Sequence, residues 1–469
     1  MDCLRIIGGA RLHGTASVGG SKNASLPILA ASILSDGPVV LGNVPELADV
    51  DTLALLLGHI GVEVKRQVNG DLHVHTVDLE PTTADYDLVR RMRASFCVLG
   101  PLIARRGKAM VSLPGGCNIG TRPVDLHLSG LQQLGAELRI EHGYVIASAE
   151  RLRGATIDLR GPRGPTVTGT ANIMSAATLA RGKTVIRGAA LEPEIVDLGR
   201  FLNTMGARIL GLGTDTIEII GVEQLGGAWH RVIPDRIETA TLLLATCITQ
   251  GTASVTGARA DHLAAVLAAI AEAGVDVACG EDKITIHAGD RPRPLKLVAQ
   301  PYPGIPTDVQ AQFMAWLSLA SGESTITDEV FPDRFMHVGE LTRLGARLER
   351  NRSEVTIQGV RRLSGAEVVA TDLRAGAACV LAGLAASGET IVRRLNHLRR
   401  GYQRLDEKLS ALGARVLLDH TPAPVAQNSI NRLNDAPWKS VAEARLVETL
   451  ALQTREGSRL TEAATHVKD

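Results

Sequence analysis

One cysteine in this chain sits among residues unlike those around the others. Cys117 lies in Leu113-Pro114-Gly115-Gly116-Cys117-Asn118-Ile119-Gly120, followed by Thr121-Arg122-Pro123-Val124-Asp125-Leu126-His127. Three glycines and a proline around a thiol describe an exposed loop, whereas structural cysteines sit in apolar elements. Cys97, Cys247 and Cys379 occupy such elements and are expected in the core. A thiol of pKa about 8.5 can donate a proton near neutrality, or act as a nucleophile once deprotonated. A chance thiol in a turn reads the same way locally, so this segment alone leaves both readings open.

Other residues have comparable chemistry. Gly19-Gly20-Ser21-Lys22-Asn23 stands just ahead of a helical stretch, where backbone N–H groups and an ammonium suit an anion. A capped helix carrying a surface lysine fits the same letters. Pro303-Gly304-Ile305-Pro306-Thr307-Asp308 is a loop stiffened by two prolines that presents one carboxylate. Asp308 could equally cap a helix beginning near Val309. Arginines stand at the starts of further elements: Arg93 in MRAS, Arg334 in FPDRF, Arg374 in TDLRAG and Arg400 in RRGY. Each alone reads as a solvated or ion-paired arginine; their recurrence at element edges is the signal.

The elements that carry these residues repeat. A glycine between a helical stretch and a β-branched run recurs at Gly37, Gly107, Gly182, Gly251, Gly322 and Gly388. A second, followed by Ala or Val, ends another helical stretch at Gly61, Gly135, Gly206, Gly274, Gly345 and Gly413. These intervals define six units of about 70 residues. Within a unit, strand-like runs such as Val39-Val40-Leu41 and Thr184-Val185-Ile186 alternate with helices. One helix is apolar at Val50, Leu53, Leu57 and Ile60, and another at Leu263, Val266, Ile270 and Ala273. The second glycine suits a left-handed C-cap. Small-residue stretches, Ala176–Ala180 and Ala264–Ala273, suit deep burial. Each unit is thus mixed α/β, and three units could close around one core, giving two domains. The stretch Gly226–Pro234 is a natural boundary. From about His420 the repeat stops. Residues 421–469, with Pro422, Pro424 and Pro437 and a Ser440/Glu443 capping box, read as a peripheral or partly disordered extension.

Composition narrows the partners. The 469 residues are 45% hydrophobic and 21% charged, a globular balance too long for a single core. Lys+Arg and Asp+Glu are 50 each, so no net charge draws the chain to nucleic acid or an anionic membrane. Aromatic residues, at 3%, are too few for base-stacking platforms. No apolar run reaches the ~20 residues of a membrane span, and no signal peptide opens the chain. The six cysteines form no C-x-x-C pair, so neither a metal site nor a disulfide framework is expected. The expectation is a soluble, cytoplasmic protein without cofactor, nucleic-acid or membrane partner.

Several segments taken together resemble a known family. GSKNASLPILAASIL, MRASFCVLGPL, PGGCNIGTRPVDLHL, PDRIETA, PGIPTDVQAQF, FPDRFMHVGEL, TDLRAGAA and RRGYQRLDEKL, in this order over roughly residues 1–420, are similar to the UDP-N-acetylglucosamine 1-carboxyvinyltransferases. These enolpyruvyl transferases commit the nucleotide sugar to peptidoglycan synthesis. The fold-sharing 5-enolpyruvylshikimate-3-phosphate synthases would not be expected to show the PGGC loop. The resemblance implies two inside-out α/β barrel domains of three units each, six units in all. Residues 22–231 would form the first, and residues 1–21 with 232–420 the second. It implies transfer of enolpyruvyl from phosphoenolpyruvate to the sugar 3-hydroxyl by addition and elimination. Cys117, Asp308, Lys22 and Arg400 match catalytic positions. Lys22, Asn23, Arg122, Arg334, Arg374 and Arg400 match phosphoenolpyruvate contacts or arginines lining the cleft. Asn23, Arg93, Arg122, Pro123, Val124, Asp125, Leu126, Thr166, Val167, Asp308 and Val330 match positions that hold the nucleotide sugar. No metal is implied.

One segment departs from the family. Where Lys-x-Ser-Val-Gly-Ala-Thr is usual, this chain reads Gly164-Pro165-Thr166-Val167-Thr168-Gly169-Thr170. Gly164 replaces the nucleotide-binding lysine, and the adjacent Arg163 could reach the diphosphate instead. An enolpyruvyl transferase acting on another nucleotide, such as UMP, is therefore an alternative. A non-catalytic repeat scaffold is the alternative of another class, although a scaffold has no need of the reactive loop, the anion-binding lysine and the carboxylate together.

Overall fold

The structure, a computed structural model, describes residues 2–114 and 124–419. Cys117, Arg122, Pro123 and the 421–469 extension lie outside the described residues. Six four-stranded sheets and one two-stranded pair are found among the described residues. All six share one arrangement: a parallel pair, then two antiparallel neighbours. In one, Ala228–Arg231 runs parallel to Val39–Gly42, which pairs antiparallel with Leu72–Thr76 and through it with Val62–Arg66. Period-two burial explains the strand: Leu72 and Val74 are buried while His73 and His75 are exposed.

The amino-terminal strands join late ones. Cys3–Ile7 inserts between Glu389–Arg393 and Arg415–Asp419, and His13–Ser17 runs parallel to Thr252–Thr256. Two separate apolar cores result. One is built from residues between Ala24 and Val232, the other from Leu4–Ala16 together with residues between Ile237 and Val416. The chain passes between the cores twice, and the two passages lie side by side. Ser21 N–H donates to Ile233 O at 2.7 Å and Asp235 N–H to Gly19 O at 2.9 Å. Gly20 has to be glycine here, because a Cβ would stand 1.6 Å from Asn43 O.

Each core has helices buried on every side. Arg236–Ile248, Gln310–Leu317 and Leu373–Ala385 pack on one another in the second core. Lys22–Ala31, Leu99–Arg106 and Val167–Ala177 are the corresponding buried helices of the first. A helix without a solvated face must satisfy its hydroxyls internally. Ser25, Ser32, Thr241 and Ser318 do so by donating to the carbonyl four residues back, at 2.8–3.0 Å.

The helix expected over Val50–Ile60 is found as Ala48–His59, with Val50, Leu53, Leu57 and Ile60 all buried. The second glycine of every unit has positive φ, from 76° to 106°. Cys97, Cys247 and Cys379 are buried. One expectation needs correction. Ala176–Ala180 is buried throughout, but Ala264–Ala273 is not, since Ala264, Ala268 and Ala271 are exposed. That helix lies on the outside of its core, where small side chains face water as readily as they face a neighbour. No helix among the described residues is long and apolar enough to cross a membrane.

Candidate active site

The helix Lys22–Ala31 starts where the chain first crosses between the cores, capped by Ser21, whose hydroxyl accepts from Ala24 N–H at 3.3 Å. The Lys22 backbone N–H donates to Asp235 Oδ2 at 3.1 Å. Asp235 in turn caps Arg236–Ile248 through the N–H groups of Ile237 and Glu238. One carboxylate therefore ties both passages to the start of the lysine helix. Lys22 is not the surface lysine of the alternative reading. It is 9% exposed, and its Nζ lies 2.7 Å from Asp49 Oδ2. The other oxygen of Asp49 accepts from Arg400 Nε at 2.8 Å, across 351 residues of chain. Burial pushes the Asp49 carboxyl up, but Lys22 and then Arg400 outweigh it and hold it below the ordinary carboxylate range.

Asn23 belongs to a second cluster. Its Nδ2 donates to Asp308 Oδ2 at 3.3 Å. Arg374 Nη2 donates to the same oxygen at 3.1 Å, and Arg334 Nη1 to Asp308 Oδ1 at 2.7 Å. Burial opposes the charge on Asp308, yet Arg374 and Arg334 hold its carboxyl well below the usual range. The cap alternative for Asp308 is overturned. It lies inside the short turn Thr307–Val309, and two guanidinium groups and an amide take up its oxygens. Around it, Thr307 Oγ1 accepts from Arg334 at 3.2 Å and donates to Asp328 Oδ2 at 2.6 Å. Asp328 also accepts the N–H groups of Val330 and Phe331. The Arg374 guanidinium stands 5.3 Å from the Tyr402 ring centroid, and its Nε and Nη1 are buried without a hydrogen-bond partner. Such donors suit an anionic ligand.

A third group lies along the hairpin Arg160–Pro165. Thr166 caps Val167–Ala177, accepting from Gly169 N–H at 3.2 Å. Val124 precedes, and Asp125 opens, the helix Asp125–Gln133. The hairpin touches Leu126: a Cβ on Gly161 would stand 3.2 Å from Leu126 Cδ1. Arg163, Gly164, Gln300, Pro301 and Glu329 line a cavity of about 470 Å³. Gly164 has φ of 92°, and a Cβ there would meet Pro301 Cγ at 2.9 Å. In this backbone no lysine fits at position 164. At position 164 the backbone packs closely against Pro301, and the cation beside it on the cavity is Arg163.

Below that hairpin, His127 joins two helices. Asn172 Oδ1 accepts Gly100 N–H at 2.6 Å, and its Nδ2 donates to Phe96 O and to His127 Nδ1, each at 3.1 Å. This fixes the ring proton on Nε2, which donates to Thr168 Oγ1 at 3.2 Å. Burial, with Arg93 nearby, depresses His127 to about 3, so it stays neutral.

The structure thus brings Lys22 and Arg400 onto Asp49, and Asn23, Arg334 and Arg374 onto Asp308. Leu126 and Arg163 stand along the hairpin beside the cavity, and Val330 follows Glu329 on the cavity's far wall. Asp49, Asp235, Tyr402 and Thr307 escaped the sequence reading. For Asp49 the sequence holds no local signal, since it reads as one more acid at a helix start.

Comparison with known proteins agrees with this architecture. The model of the family EPSP synthase (3-phosphoshikimate 1-carboxyvinyltransferase) matches residues 6–409. The UDP-N-acetylglucosamine 1-carboxyvinyltransferases of Serratia proteamaculans and Escherichia coli O1:K1 / APEC are each 51% identical over 419 residues, covering 89% of this chain and 99% of the relative. Among solved structures, the enolpyruvyl transferase NikO from Streptomyces tendae aligns with a TM-score of 0.81 at 27% identity, over 90% of this chain and 99% of its own. The EPSP synthase from Acinetobacter baumannii shares the fold, with a TM-score of 0.69 at 18% identity over 90% of this chain and all of its own. Matched over most of its length by the family model and by relatives at half identity, the chain belongs to the EPSP synthase family of enolpyruvyl transferases.

Proposed function

We propose that this enzyme transfers the enolpyruvyl group of phosphoenolpyruvate to the 3-hydroxyl of UDP-N-acetylglucosamine, releasing phosphate, at the entry to peptidoglycan synthesis in the cytoplasm. The observation that carries the reading is Asp308. Two buried guanidinium groups keep this carboxylate ionised, and it faces Asn23 from the other core. An ionised carboxylate so held can orient a sugar hydroxyl, or receive its proton as bond formation to carbon makes that hydroxyl acidic.

In the addition step the hydroxyl oxygen bonds to C2 of phosphoenolpyruvate, its proton passes toward Asp308, and the methylene carbon gains a proton to become methyl. Cys117 is the proposed donor of that proton. In the elimination step the methyl group returns a proton, the bond between C2 and the phosphate oxygen breaks, and the enol ether and phosphate leave. Lys22, Arg122 and Arg400 are assigned to the phosphate and carboxylate of phosphoenolpyruvate, with Arg334 and Arg374 lining the cleft. Arg93, Pro123, Val124, Asp125, Leu126, Arg163, Thr166, Val167 and Val330 are assigned to the nucleotide sugar. We assign residues 22–231 to one inside-out barrel of three units, and 1–21 with 232–420 to the other. The buried helices with sheets outside them support this division.

The packing of Gly164 on Pro301 favours a second reading, a different nucleotide as acceptor. Phosphate release from phosphoenolpyruvate with UDP-N-acetylglucosamine, UMP and shikimate 3-phosphate separates the two. Release with the first acceptor supports the main reading, and release with UMP alone replaces it. Release with none returns the chain to the scaffold alternative.

A further inference from the structure

A cluster of buried charges close to Asp308 has no part in the reaction as described so far. Arg236 opens its helix directly after the Asp235 cap. Its Nε donates to Glu194 Oε1 at 2.9 Å, and its guanidinium carbon stands 5.5 Å from the Tyr302 ring centroid. Glu192 precedes, and Glu194 lies in the first turn of, the helix Pro193–Thr204 of the first core. Arg236, Glu192 and Glu194 are 7%, 8% and 3% exposed. Tyr302 belongs to the loop 300–306, closed on itself by Gln300 N–H to Ile305 O and Gly304 N–H to Pro301 O, both 2.9 Å. Its hydroxyl donates to Asp261 O at 3.2 Å. Asp308 lies two residues beyond the loop.

Burial works against the Arg236 charge, but Glu194 first, then Glu192 and Asp308, restore it and raise its affinity for the proton. Carboxylates carried by both cores therefore converge on one guanidinium. The arrangement is a poor way to gain stability. Arg236 Nη1, Glu192 Oε2 and Glu194 Oε2 are all buried without a hydrogen-bond partner. Apolar residues of the same volume would be no less stable, and the attested use of buried ion pairs is to fix register between elements. What this one touches, through the ring of Tyr302, is the loop that leads into Asp308.

We propose that Arg236, held between Glu194 and the face of Tyr302, is the positioning residue of Asp308, pinning the 300–306 loop against helix starts from both cores. This rests on the reading that Asp308 acts at the acceptor hydroxyl. A 1 Å displacement of a reacting group costs up to about a hundredfold in rate, so the effect belongs in kcat.

The test uses the full-length protein with Tyr302→Leu, Tyr302→Phe and Arg236→Lys. Tyr302→Leu removes the aromatic face without stranding a buried charge, Tyr302→Phe keeps the face, and Arg236→Lys keeps the charge but not the planar stack. Tyr302→Leu and Arg236→Lys are expected to lower kcat about 10- to 100-fold, with KM for phosphoenolpyruvate unchanged within about twofold. Tyr302→Phe should restore most of the lost kcat. Hydrogen exchange over residues 300–309 should rise in Tyr302→Leu and not in Tyr302→Phe. A Tyr302→Leu enzyme with parental kcat, a Tyr302→Phe enzyme as impaired as Tyr302→Leu, or unchanged exchange would each overturn the proposal. If the parent itself releases no phosphate with any acceptor, the functional reading fails, and the exchange comparison still decides the stack.

Discussion

Asp49 and Asp308 are held by similar chemistry and differ in what remains free. Each is a carboxylate between two cations, and each draws those cations from distant parts of the chain. The Asp49 side chain is 5% exposed and that of Asp308 is 25% exposed. Both oxygens of Asp49 are taken up by Lys22 and Arg400, so its effect is to hold two cations at a fixed separation. The oxygens of Asp308 likewise accept from Arg334, Arg374 and Asn23, but a quarter of its side chain stays exposed while its charge is maintained, and that access is the condition for a group that must meet a substrate. The difference teaches that an ion pair in a cleft becomes chemical equipment through access, not through strength.

The comparison breaks most sharply at Asp308. Asp308→Asn keeps the shape and removes the proton acceptor, and kcat should fall about 10²- to 10⁴-fold. Steady-state phosphate release measures this; an Asn enzyme within tenfold of the parent would mean the carboxylate only fills space. Asp49→Asn should act differently, taking the carboxylate 2.7 Å from the buried Lys22 ammonium and removing the charge that Lys22 shares with Arg400. A loss of about 3 kcal/mol in folding stability is expected, read from urea unfolding, with a raised KM for phosphoenolpyruvate as Lys22 and Arg400 separate. Unchanged stability would show that the two cations need no carboxylate between them.

A smaller effect tests the hairpin. If Arg163 replaces the lysine that Gly164 cannot be, Arg163→Ala should weaken UDP-N-acetylglucosamine roughly 10- to 150-fold, as for loss of one charged hydrogen bond, and leave phosphoenolpyruvate binding unchanged. Calorimetry with the nucleotide sugar decides it, and equal affinity refutes the substitution. The last test concerns acid stability, where the effect is small near neutrality and grows as pH falls. His127 is neutral when folded, with its pKa at about 3, whereas an unfolded histidine binds a proton near 6.5. The unfolded state therefore binds more protons between these values, and folding stability declines as pH falls from about 6.5 toward 3. In His127→Gln that decline should be shallower; an identical pH slope would show that His127 does not contribute to it.

Much of the fold is legible in the sequence. The six units, the left-handed glycines that end their helices and the buried cysteines follow from local periodicity and turn chemistry, which a sequence states directly. Lys22, Asn23, Asp308, Arg334, Arg374 and Arg400 stand out as polar residues in loops and at element edges. Their partners do not. Asp49 reads as one more acid on a solvated helix face, and only the tertiary structure sets it between Lys22 and Arg400. Arg236 reads as an ordinary helix start, until Glu194 and Tyr302 close on it. Gly164 reads as a lost lysine, until its backbone meets Pro301. The physical reason is common to all three. Helices and strands are specified by neighbours within a few residues, whereas the fate of a charge or a missing side chain depends on groups scores to hundreds of residues away, whose approach leaves no local trace.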